Sequence, residues 1–200
     1  MMAAAIILSG GKSSRMGTNK ALLKINKKTN IERITDTLKG SFNDIILVTN
    51  NPEHYQFLGL PMVTDIYPGQ GPLAGIHTGL LASKFDVNFI AACDMPFVSG
   101  ELAEVLVNQC GDYDAVIPII NGRQHPLFAV YQKRVTKEIA HSIEAGRLRI
   151  KQLLEQLHVK YVTEENLQAY CSNDLERVFF NMNHPNEYEN AKKWAEADDS

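Results

Sequence analysis

Four short apolar runs constrain the fold of this chain most strongly, because polar residues do not alternate regularly with the apolar ones inside them. Runs of this kind, rich in Ile, Val and Ala, are typical of strands that are covered on both faces. Helical patterns separate the runs, and Pro72 suits a first helical turn while Ser99 suits an N-cap. This alternation predicts an α/β fold with three layers, a mostly parallel sheet with helices on both faces. The four runs cover residues 3–8, 45–49, 87–93 and 115–120.

The pattern changes after about Ile120, where two helices separated by Gly146 are expected in succession. We expect one domain over residues 1–200, because no repeat, low-complexity segment or linker divides the chain. The elements expected in this later part are helices over 130–143 and 148–157, strands over 159–163 and 177–181, and a terminal helix over 187–197.

Composition excludes several classes of protein. Hydrophobic residues make up 44% of the chain and charged residues 22%, which is ordinary for a globular protein and unlike a disordered or fibrous one. The three cysteines contain no C-x-x-C pair, which argues against a disulfide framework and favours a reducing, cytoplasmic setting. The first apolar run ends at Leu8, far short of a membrane span. The net charge of −3 argues against nucleic acid as a partner of the whole molecule.

A glycine-rich segment follows the first predicted strand directly and carries most of the functional information. Gly10 and Gly11 let the backbone approach a ligand and turn several N–H groups toward one anion. Arg15 and Lys20 add cations near the same place. A P-loop would need glycine at position 6, which is isoleucine, and a dinucleotide fingerprint would need glycine in place of Lys12. The segment therefore fits neither of these two phosphate-binding motifs.

Charge is distributed unevenly along the beginning of the chain. No acidic residue occurs before Glu32, and this predicts a local site for a polyanion. The structural alternative is a basic, solvated loop with incidental glycines. No aromatic residue stands between Ser9 and Lys28 to stack on bases, which argues against a nucleic-acid site. The cations in this interval are Lys12, Arg15, Lys20, Lys24, Lys27 and Lys28.

Four motifs are spread over nearly the whole chain. They are Leu-Ser-Gly-Gly-Lys-Ser-Ser-Arg-Met-Gly-Thr-Asn-Lys-Ala-Leu-Leu over 8–23, Thr-Asp at 64–65 with Pro-Gly-Gln-Gly-Pro-Leu-Ala-Gly-Ile over 68–76, Ala-Cys-Asp-Met-Pro-Phe over 92–97, and Asn-Met-Asn-His-Pro over 181–185. In this order they resemble the molybdenum cofactor guanylyltransferase family, within the nucleotidyltransferase superfamily. The family commonly has Ala where Ser9 stands and usually has Asp where Asn19 stands, so these two positions depart from its pattern.

The resemblance implies a Rossmann-like nucleotidyltransferase fold and an enzyme that transfers GMP from GTP to the phosphate of molybdopterin-bound molybdenum cofactor, releasing pyrophosphate. It also implies a nucleotide-binding half over about 1–120, an acceptor-binding half over about 121–200, and Mg²⁺ as the cofactor. Transient contact with other cofactor-biosynthesis proteins or with acceptor proteins is a further expectation. Because both reactants are anions, the reaction needs cations, backbone donors and a metal ion more than a covalent nucleophile.

Three residues are the candidates for catalysis. Lys20 is expected to stabilise charge on the transferred phosphate, and Arg15 to hold the departing pyrophosphate with its fork of donors. Asp94 closes an apolar strand and is expected to bind Mg²⁺, for which one carboxylate suffices. The structural alternatives are surface cations for Lys20 and Arg15 and a helix cap for Asp94. Cys93 is expected to be a core residue and not a nucleophile, since no histidine is near it in sequence.

The resemblance assigns GTP binding to the first three motifs. The backbone of residues 8–10 is expected to contact the base, and Gly10 to admit guanine where related cytidylyltransferases tend to carry Ala. Asp65 is expected to contact the ribose or base, with a solvated turn residue as the alternative. The complete set is Leu8, Ser9, Gly10, Gly11, Lys20, Asp65 and Asp94.

The acceptor side is indicated more weakly. Two of its candidates, Arg147 and Arg149, are two residues apart and do not share one helix face, so ordinary cations at a helix start are the alternative. The candidates are His125, Pro126, Arg147, Arg149, Asn181 and Asn183.

Other functions stay open on the sequence alone. The same fold could serve cytidylyl transfer to the pterin, or transfer to a sugar phosphate or an isoprenoid precursor, although Gly10 favours guanine. A noncatalytic nucleotide-binding subunit is a different class of protein, and the presence of Lys20 and Asp94 argues against it.

Overall fold

The computed structural model describes residues 2–10, 19–169 and 174–198. The strands in these ranges are β1 (Ala3–Ser9), β2 (Lys24–Ile25), β3 (Lys28–Thr29), β4 (Asp44–Thr49), β5 (Met62–Val63), β6 (Val87–Ala92), β7 (Ala115–Ile120), β8 (Arg123–Gln124), β9 (Phe128–Gln132) and β10 (Val159–Thr163). The α-helices are α1 (Asn30–Lys39), α2 (Pro72–Ala82), α3 (Gly100–Asn108), α4 (Thr136–Glu144), α5 (Ile150–Leu154), α6 (Glu164–Gln168), α7 (Leu175–Val178) and α8 (Pro185–Asp198). Short 3₁₀ helices cover Lys20–Leu22, Pro52–Leu58 and Lys133–Val135.

The central sheet is mostly parallel, as the sequence predicts. Within the described ranges its strand order is β10-β7-β9-β6-β1-β4-β5, and β8 pairs with β7. The strand β1 lies between β4 and β6 and is parallel to both. The pairs β4–β5 and β7–β10 are also parallel. Within the described part of this sheet, only β8 and β9 are antiparallel to their neighbours, while β2 and β3 form a separate antiparallel pair.

Helices cover both faces of the sheet and complete the three predicted layers. Successive side chains of a strand point to opposite faces. In β1, Ala5 and Ile7 belong to the core that contains α1 and α3, whereas Ile6 and Leu8 belong to the core that contains α2, α4 and α5. The uninterrupted apolar run of this strand is therefore explained by burial of both of its faces.

The helix expected over 130–143 is wrong in its first part. Residues Phe128–Gln132 form β9, a 3₁₀ helix follows, and α4 begins at Thr136. Successive residues of β9 pack into the cores on opposite faces of the sheet, between β6 and β7. Aromatic and β-branched residues suit a strand that is covered on both faces, and this packing outweighs the helical spacing.

The strand expected over 177–181 is also wrong, because the helix α7 occupies Leu175–Val178. Its N-cap is Asp174, whose side chain accepts a hydrogen bond from the backbone N–H of Glu176 at 3.0 Å. A cap of this kind favours a helical turn independently of the apolar spacing that follows it.

The other expected elements are confirmed, with one change of length. The helix expected over 148–157 is α5, which covers only Ile150–Leu154. The strand β10 and the terminal helix α8 lie where the sequence predicts them. Among the described residues, no helix combines the length and apolar character that crossing a membrane requires.

Candidate active site

A cleft of about 940 Å³ opens where the carboxyl ends of β1, β4 and β6 meet at one edge of the sheet. This edge is where ligands bind in open α/β sheets. Gly11 and Arg15, two of the predicted site residues, lie outside the described residues. The six remaining residues predicted for GTP binding or catalysis all line the cleft: Leu8, Ser9, Gly10, Lys20, Asp65 and Asp94.

Lys20 reaches the cleft from the 3₁₀ helix Lys20–Leu22. The N-cap of this helix is Asn19, whose Oδ1 accepts a hydrogen bond from the backbone N–H of Ala21 at 3.2 Å. The Lys20 Nζ donates to Asn183 Oδ1 at 3.2 Å. This contact brings the first and last sequence motifs together and holds the ammonium group at the cleft.

Asp94 follows β6 and carries an oxygen that needs a partner. Burial raises the pKa of its carboxyl, and the nearby positive charge of Lys20 opposes that rise. Its Oδ1 is buried and accepts no hydrogen bond from the described residues. Its backbone carbonyl accepts a hydrogen bond from the N–H of Met182 at 2.8 Å, which attaches the C-terminal motif to this strand end. A hard cation such as Mg²⁺ would supply the interaction that the orphaned carboxylate oxygen lacks.

Two other roles at this strand end do not fit the structure. Asp94 caps no helix, because α3 begins at Gly100 and Ser99 is its N-cap, accepting from the Leu102 N–H at 3.2 Å. Desolvation raises the pKa of the Cys93 thiol to about 12, so the thiol stays protonated at neutral pH and is not a nucleophile.

Asp65 follows β5 and is oriented by Asn50, which follows β4. The Asn50 Nδ2 donates to Asp65 Oδ2, and the Asp65 backbone N–H donates to Asn50 Oδ1, both at 3.0 Å. The Oδ1 of Asp65 is buried and accepts no hydrogen bond from the described residues. The two hydrogen bonds with Asn50 hold the Asp65 carboxylate in place and leave its Oδ1 available to a ligand. A freely solvated turn residue, the alternative, would not be held in this way. Sequence reasoning missed Asn50, although its place directly after a strand was a usable signal.

The N-terminus of α2 forms another wall of the cleft, to which Gly71, Pro72 and Gly75 contribute. Gly71 has a φ of 73°, a conformation that favours glycine. A Cβ at Gly75 would lie 3.2 Å from the Leu8 side chain, so glycine allows α2 to pack closely on β1. This packing brings the first turn of α2 to the cleft, where the positive end of the helix dipole favours an anion.

The candidates for acceptor binding are divided by the structure. Asn183 accepts a hydrogen bond from the cleft residue Lys20 without itself belonging to the described wall, whereas the Asn181 Nδ2 donates to the backbone oxygen of Phe179 at 3.1 Å. Neither Arg147 nor Arg149 belongs to the described wall of the cleft. The Nε of Arg147 is buried without a hydrogen-bond partner among the described residues, and Arg149 is exposed just before α5.

His125 is not part of the described wall of the cleft. Its ring centroid is 4.6 Å from that of Phe179, and burial lowers its pKa to about 4. The imidazole is therefore neutral at pH 7. Leu127, two residues later, lines the cleft.

Tyr55 is a cleft residue that no sequence pattern indicated. It lies in the 3₁₀ helix Pro52–Leu58 and is 2% exposed. Its hydroxyl oxygen accepts hydrogen bonds from Ser9 Oγ at 2.7 Å and from Asn19 Nδ2 at 2.8 Å. Burial raises the pKa of this hydroxyl, which keeps it neutral. Its partners are 46 and 36 residues away in sequence, so no local pattern could have indicated these contacts.

Comparisons with known proteins agree with this geometry. Residues 5–161 match the model of the MobA-like NTP transferase domain. A probable molybdenum cofactor guanylyltransferase from Pelotomaculum thermopropionicum is 38% identical, over 98% of this chain and 95% of that protein. A protein of the same name from Bacillus cereus is 39% identical, over 95% of this chain and 96% of its own length.

Solved structures share the fold. Molybdopterin-guanine dinucleotide biosynthesis protein A from Archaeoglobus fulgidus has a TM-score of 0.84 and 28% identity, over 97% of this chain and 99% of that chain. A 2-C-methyl-D-erythritol 4-phosphate cytidylyltransferase from Thermus thermophilus has a TM-score of 0.71 and 15% identity, over 96% and 98% of the two chains. The second likeness shows the nucleotidyltransferase fold alone. With the family model matched over most of the sequence and relatives aligned over nearly all of it, the chain belongs to the MobA-like NTP transferase family.

Proposed function

We propose that the protein transfers GMP from GTP to the phosphate of molybdopterin-bound molybdenum cofactor, giving the guanine dinucleotide cofactor and pyrophosphate. The names of its relatives support this activity. One structural observation carries it: the ammonium group of Lys20 and the buried, unpartnered carboxylate oxygen of Asp94 belong to the same cleft. A cation and a metal-ligating carboxylate are what phosphoryl transfer between two anions requires.

In the proposed reaction, a phosphate oxygen of the acceptor attacks the α-phosphorus of GTP. A new P–O bond forms there, the bond from the α-phosphorus to the bridging oxygen breaks, and pyrophosphate leaves with that electron pair. Lys20 stabilises the negative charge that develops on the transferred phosphate. Arg15 keeps its proposed contact with the pyrophosphate on sequence grounds, since it lies outside the described residues.

Asp94 is the proposed ligand of Mg²⁺, through its orphaned Oδ1. When bound, the ion neutralises phosphate charge and holds phosphate oxygens in place. Mg²⁺ commonly uses one or two protein carboxylates together with substrate phosphates and water. Asp94 therefore suffices for this role without a cage of protein ligands.

The nucleotide is proposed to lie along the ends of β1 and β5. Apart from its chain neighbours, no described residue has an atom within 4 Å of a Cβ built on Gly10, so packing against the described residues does not require glycine there. Close approach of a ligand explains the residue instead, and the proposed ligand is the guanine base, with backbone contacts from residues 8–10. Asp65, held by Asn50, offers its free oxygen to the ribose or base.

The acceptor is proposed to bind through residues of the later part of the chain, over about 121–200. Asn183 supports this division because it contacts the catalytic Lys20. Arg147, Arg149 and Asn181 keep their proposed acceptor contacts on the sequence resemblance. Action in the cytoplasm and transient contact with other cofactor-biosynthesis or acceptor proteins are part of the same proposal.

Thermal unfolding with GTP, CTP, UTP or ATP, each with Mg²⁺, tests the nucleotide assignment. A ligand present at 100 times its Kd stabilises the folded state by about 2.7 kcal/mol, so selective stabilisation by GTP is expected. Pyrophosphate release that requires both GTP and the molybdopterin cofactor tests the transfer. Preference for CTP or UTP would replace the proposal by the cytidylyl-transfer alternative or by one with another acceptor. GTP binding without transfer would indicate a noncatalytic subunit.

A further inference from the structure

The Tyr55 hydroxyl joins the two ends of the glycine-rich segment at a single atom. Ser9 stands before the segment at the end of β1, and Asn19 stands directly before the 3₁₀ helix that carries Lys20. Both side chains donate to the same oxygen, at 2.7 and 2.8 Å. Because the Tyr55 ring is buried in the core cluster that also contains residues of β1, α1 and α3, its packing restricts the position of this oxygen relative to the sheet.

The orientation of Asn19 is determined by its neighbours. Its Oδ1 must face the backbone N–H of Ala21, since an amide oxygen is the only acceptor of this side chain. Its Nδ2 therefore faces Tyr55, which accepts the hydrogen bond. The Asn19 side chain thus caps the 3₁₀ helix with its oxygen and connects that helix to the core with its nitrogen.

Lys20 is the first residue of that helix, so its backbone position depends on this connection. The long side chain of lysine has many rotamers, and Asn183 is the partner that the described structure gives to its ammonium group. A fixed Cα narrows the region that the ammonium group can reach. Displacement of a catalytic group by about 1 Å can cost up to roughly 100-fold in rate, so a constraint of this kind matters for transfer.

We propose that Tyr55 is a positioning residue for transfer, acting through Asn19 on Lys20, with Ser9 holding the hydroxyl from the β1 side. The inference rests on the proposed role of Lys20. Tyr55 needs no contact with substrate for this purpose, because its oxygen already accepts two hydrogen bonds from the protein.

The test is a double-mutant cycle on turnover with Tyr55→Phe, Lys20→Ala and the double variant. Phenylalanine keeps the buried ring and removes only the hydroxyl. We expect Tyr55→Phe to lower kcat about 10-fold while changing KM for GTP less than threefold. In the Lys20→Ala background the same substitution should change kcat less than twofold, because the group that it positions is absent.

Two further variants separate positioning from loss of stability. Tyr131→Phe is the matched control, since Tyr131 is also fully buried and its hydroxyl donates to the Pro126 backbone oxygen at 2.8 Å. It should lower the thermal midpoint about as much as Tyr55→Phe and leave kcat within twofold. Asn19→Asp should retain kcat, because a carboxylate can cap Ala21 and accept the Tyr55 proton, whereas Asn19→Ala should lower kcat as Tyr55→Phe does.

The outcomes distinguish this inference from the role of Lys20. A defective Lys20→Ala together with an unaffected Tyr55→Phe would overturn the inference alone. An equal loss of kcat from Tyr55→Phe in the wild-type and Lys20→Ala backgrounds would also overturn the inference alone, because Tyr55 would then act independently of Lys20. Near wild-type turnover of Lys20→Ala would overturn both. If Tyr55→Phe does not fold, Asn19→Ala in the same cycle with Lys20→Ala decides between these outcomes.

Discussion

Residues up to about 120 and those beyond it contribute to the cleft in different ways. In the first part, β1, β4 and β6 are parallel and adjacent, and the residues that follow them line the cleft directly. In the second part, β9 is antiparallel and α5, α6 and α7 have only four or five residues each. Its described contributions include a lining residue, Leu127, a contact of Asn183 with Lys20, and a hydrogen bond from the Met182 N–H to the Asp94 backbone oxygen. Strand ends of the first part thus position Asp94 and the residues of β1 at the cleft, Lys20 comes from a short 3₁₀ helix of the same part, and the second part adds few contacts.

The sharpest test of this contrast is Lys20→Ala. Removing one charge-stabilising donor usually costs roughly 10²–10³ in kcat, and we expect that loss in a protein that still folds. Lys27→Ala is the control, because Lys27 is an exposed cation of the same basic segment and is not part of the described cleft wall. Steady-state turnover measures the loss of kcat, and circular dichroism shows whether each variant still folds. Near wild-type turnover in folded Lys20→Ala would remove Lys20 from the catalytic residues.

Asp94→Asn should come next, with kcat reduced roughly 100-fold at low Mg²⁺. The amide keeps the shape of the side chain but loses the charge that a hard cation favours. Raising Mg²⁺, or replacing it with Mn²⁺, should partly restore turnover. Asp86→Asn, an exposed position just before the other end of β6, is the matched control and should respond normally to the metal. A metal titration that leaves the two variants alike would contradict the assignment.

The same contrast explains how much the sequence predicts. The strands β1, β4 and β6 are recognisable because each is buried on both faces, as the side chains of β1 show. Their ends mark the cleft, and Asp94 could be named from such an end, whereas Lys20 and Asp65 are named from the resemblance of their motifs to the family. The spacing in β9 is compatible with a helix, and only its position between β6 and β7 makes it a strand. Local periodicity carries no information about such neighbours.

Contacts between distant residues account for what the sequence does not reveal in the cleft. Ser9 and Asn19, the two departures from the family motif, contact the same Tyr55 hydroxyl. Comparison of a sequence with a motif considers each position separately and therefore does not show that these two positions share a partner. Asn50 was missed for a similar reason, because its role depends on β4 and β5 being neighbours.

A smaller effect is expected at Gly10, where the question is base selection in the first part of the chain. Gly10→Ala should fold normally, because no described residue other than its chain neighbours has an atom within 4 Å of the added methyl group. It should weaken GTP binding about 10-fold, since one added methyl at a close contact costs on the order of 1–3 kcal/mol, and it should weaken CTP binding less. Titration calorimetry with both nucleotides measures the difference. Equal losses would show that Gly10 does not select the base.

The smallest effect concerns stability in the second part and is measured at His125. Burial lowers its pKa from 6.5 to about 4 in the folded protein, with the nearby charge of Arg123 acting in the same direction. Between these pH values the unfolded chain binds a proton that the folded protein does not, so stability falls as the pH falls from about 6.5 toward 4. His125→Gln cannot titrate there, and its urea-unfolding free energy should decline less steeply than that of the wild type over this range. The raised pKa of Asp94 makes stability rise as the pH falls, which is the opposite effect. Asp94 is present in both proteins, so its contribution cancels when their unfolding free energies are compared. Parallel stability curves would show that His125 is not held neutral by its packing against Phe179, and that this edge of the proposed acceptor half is open to water.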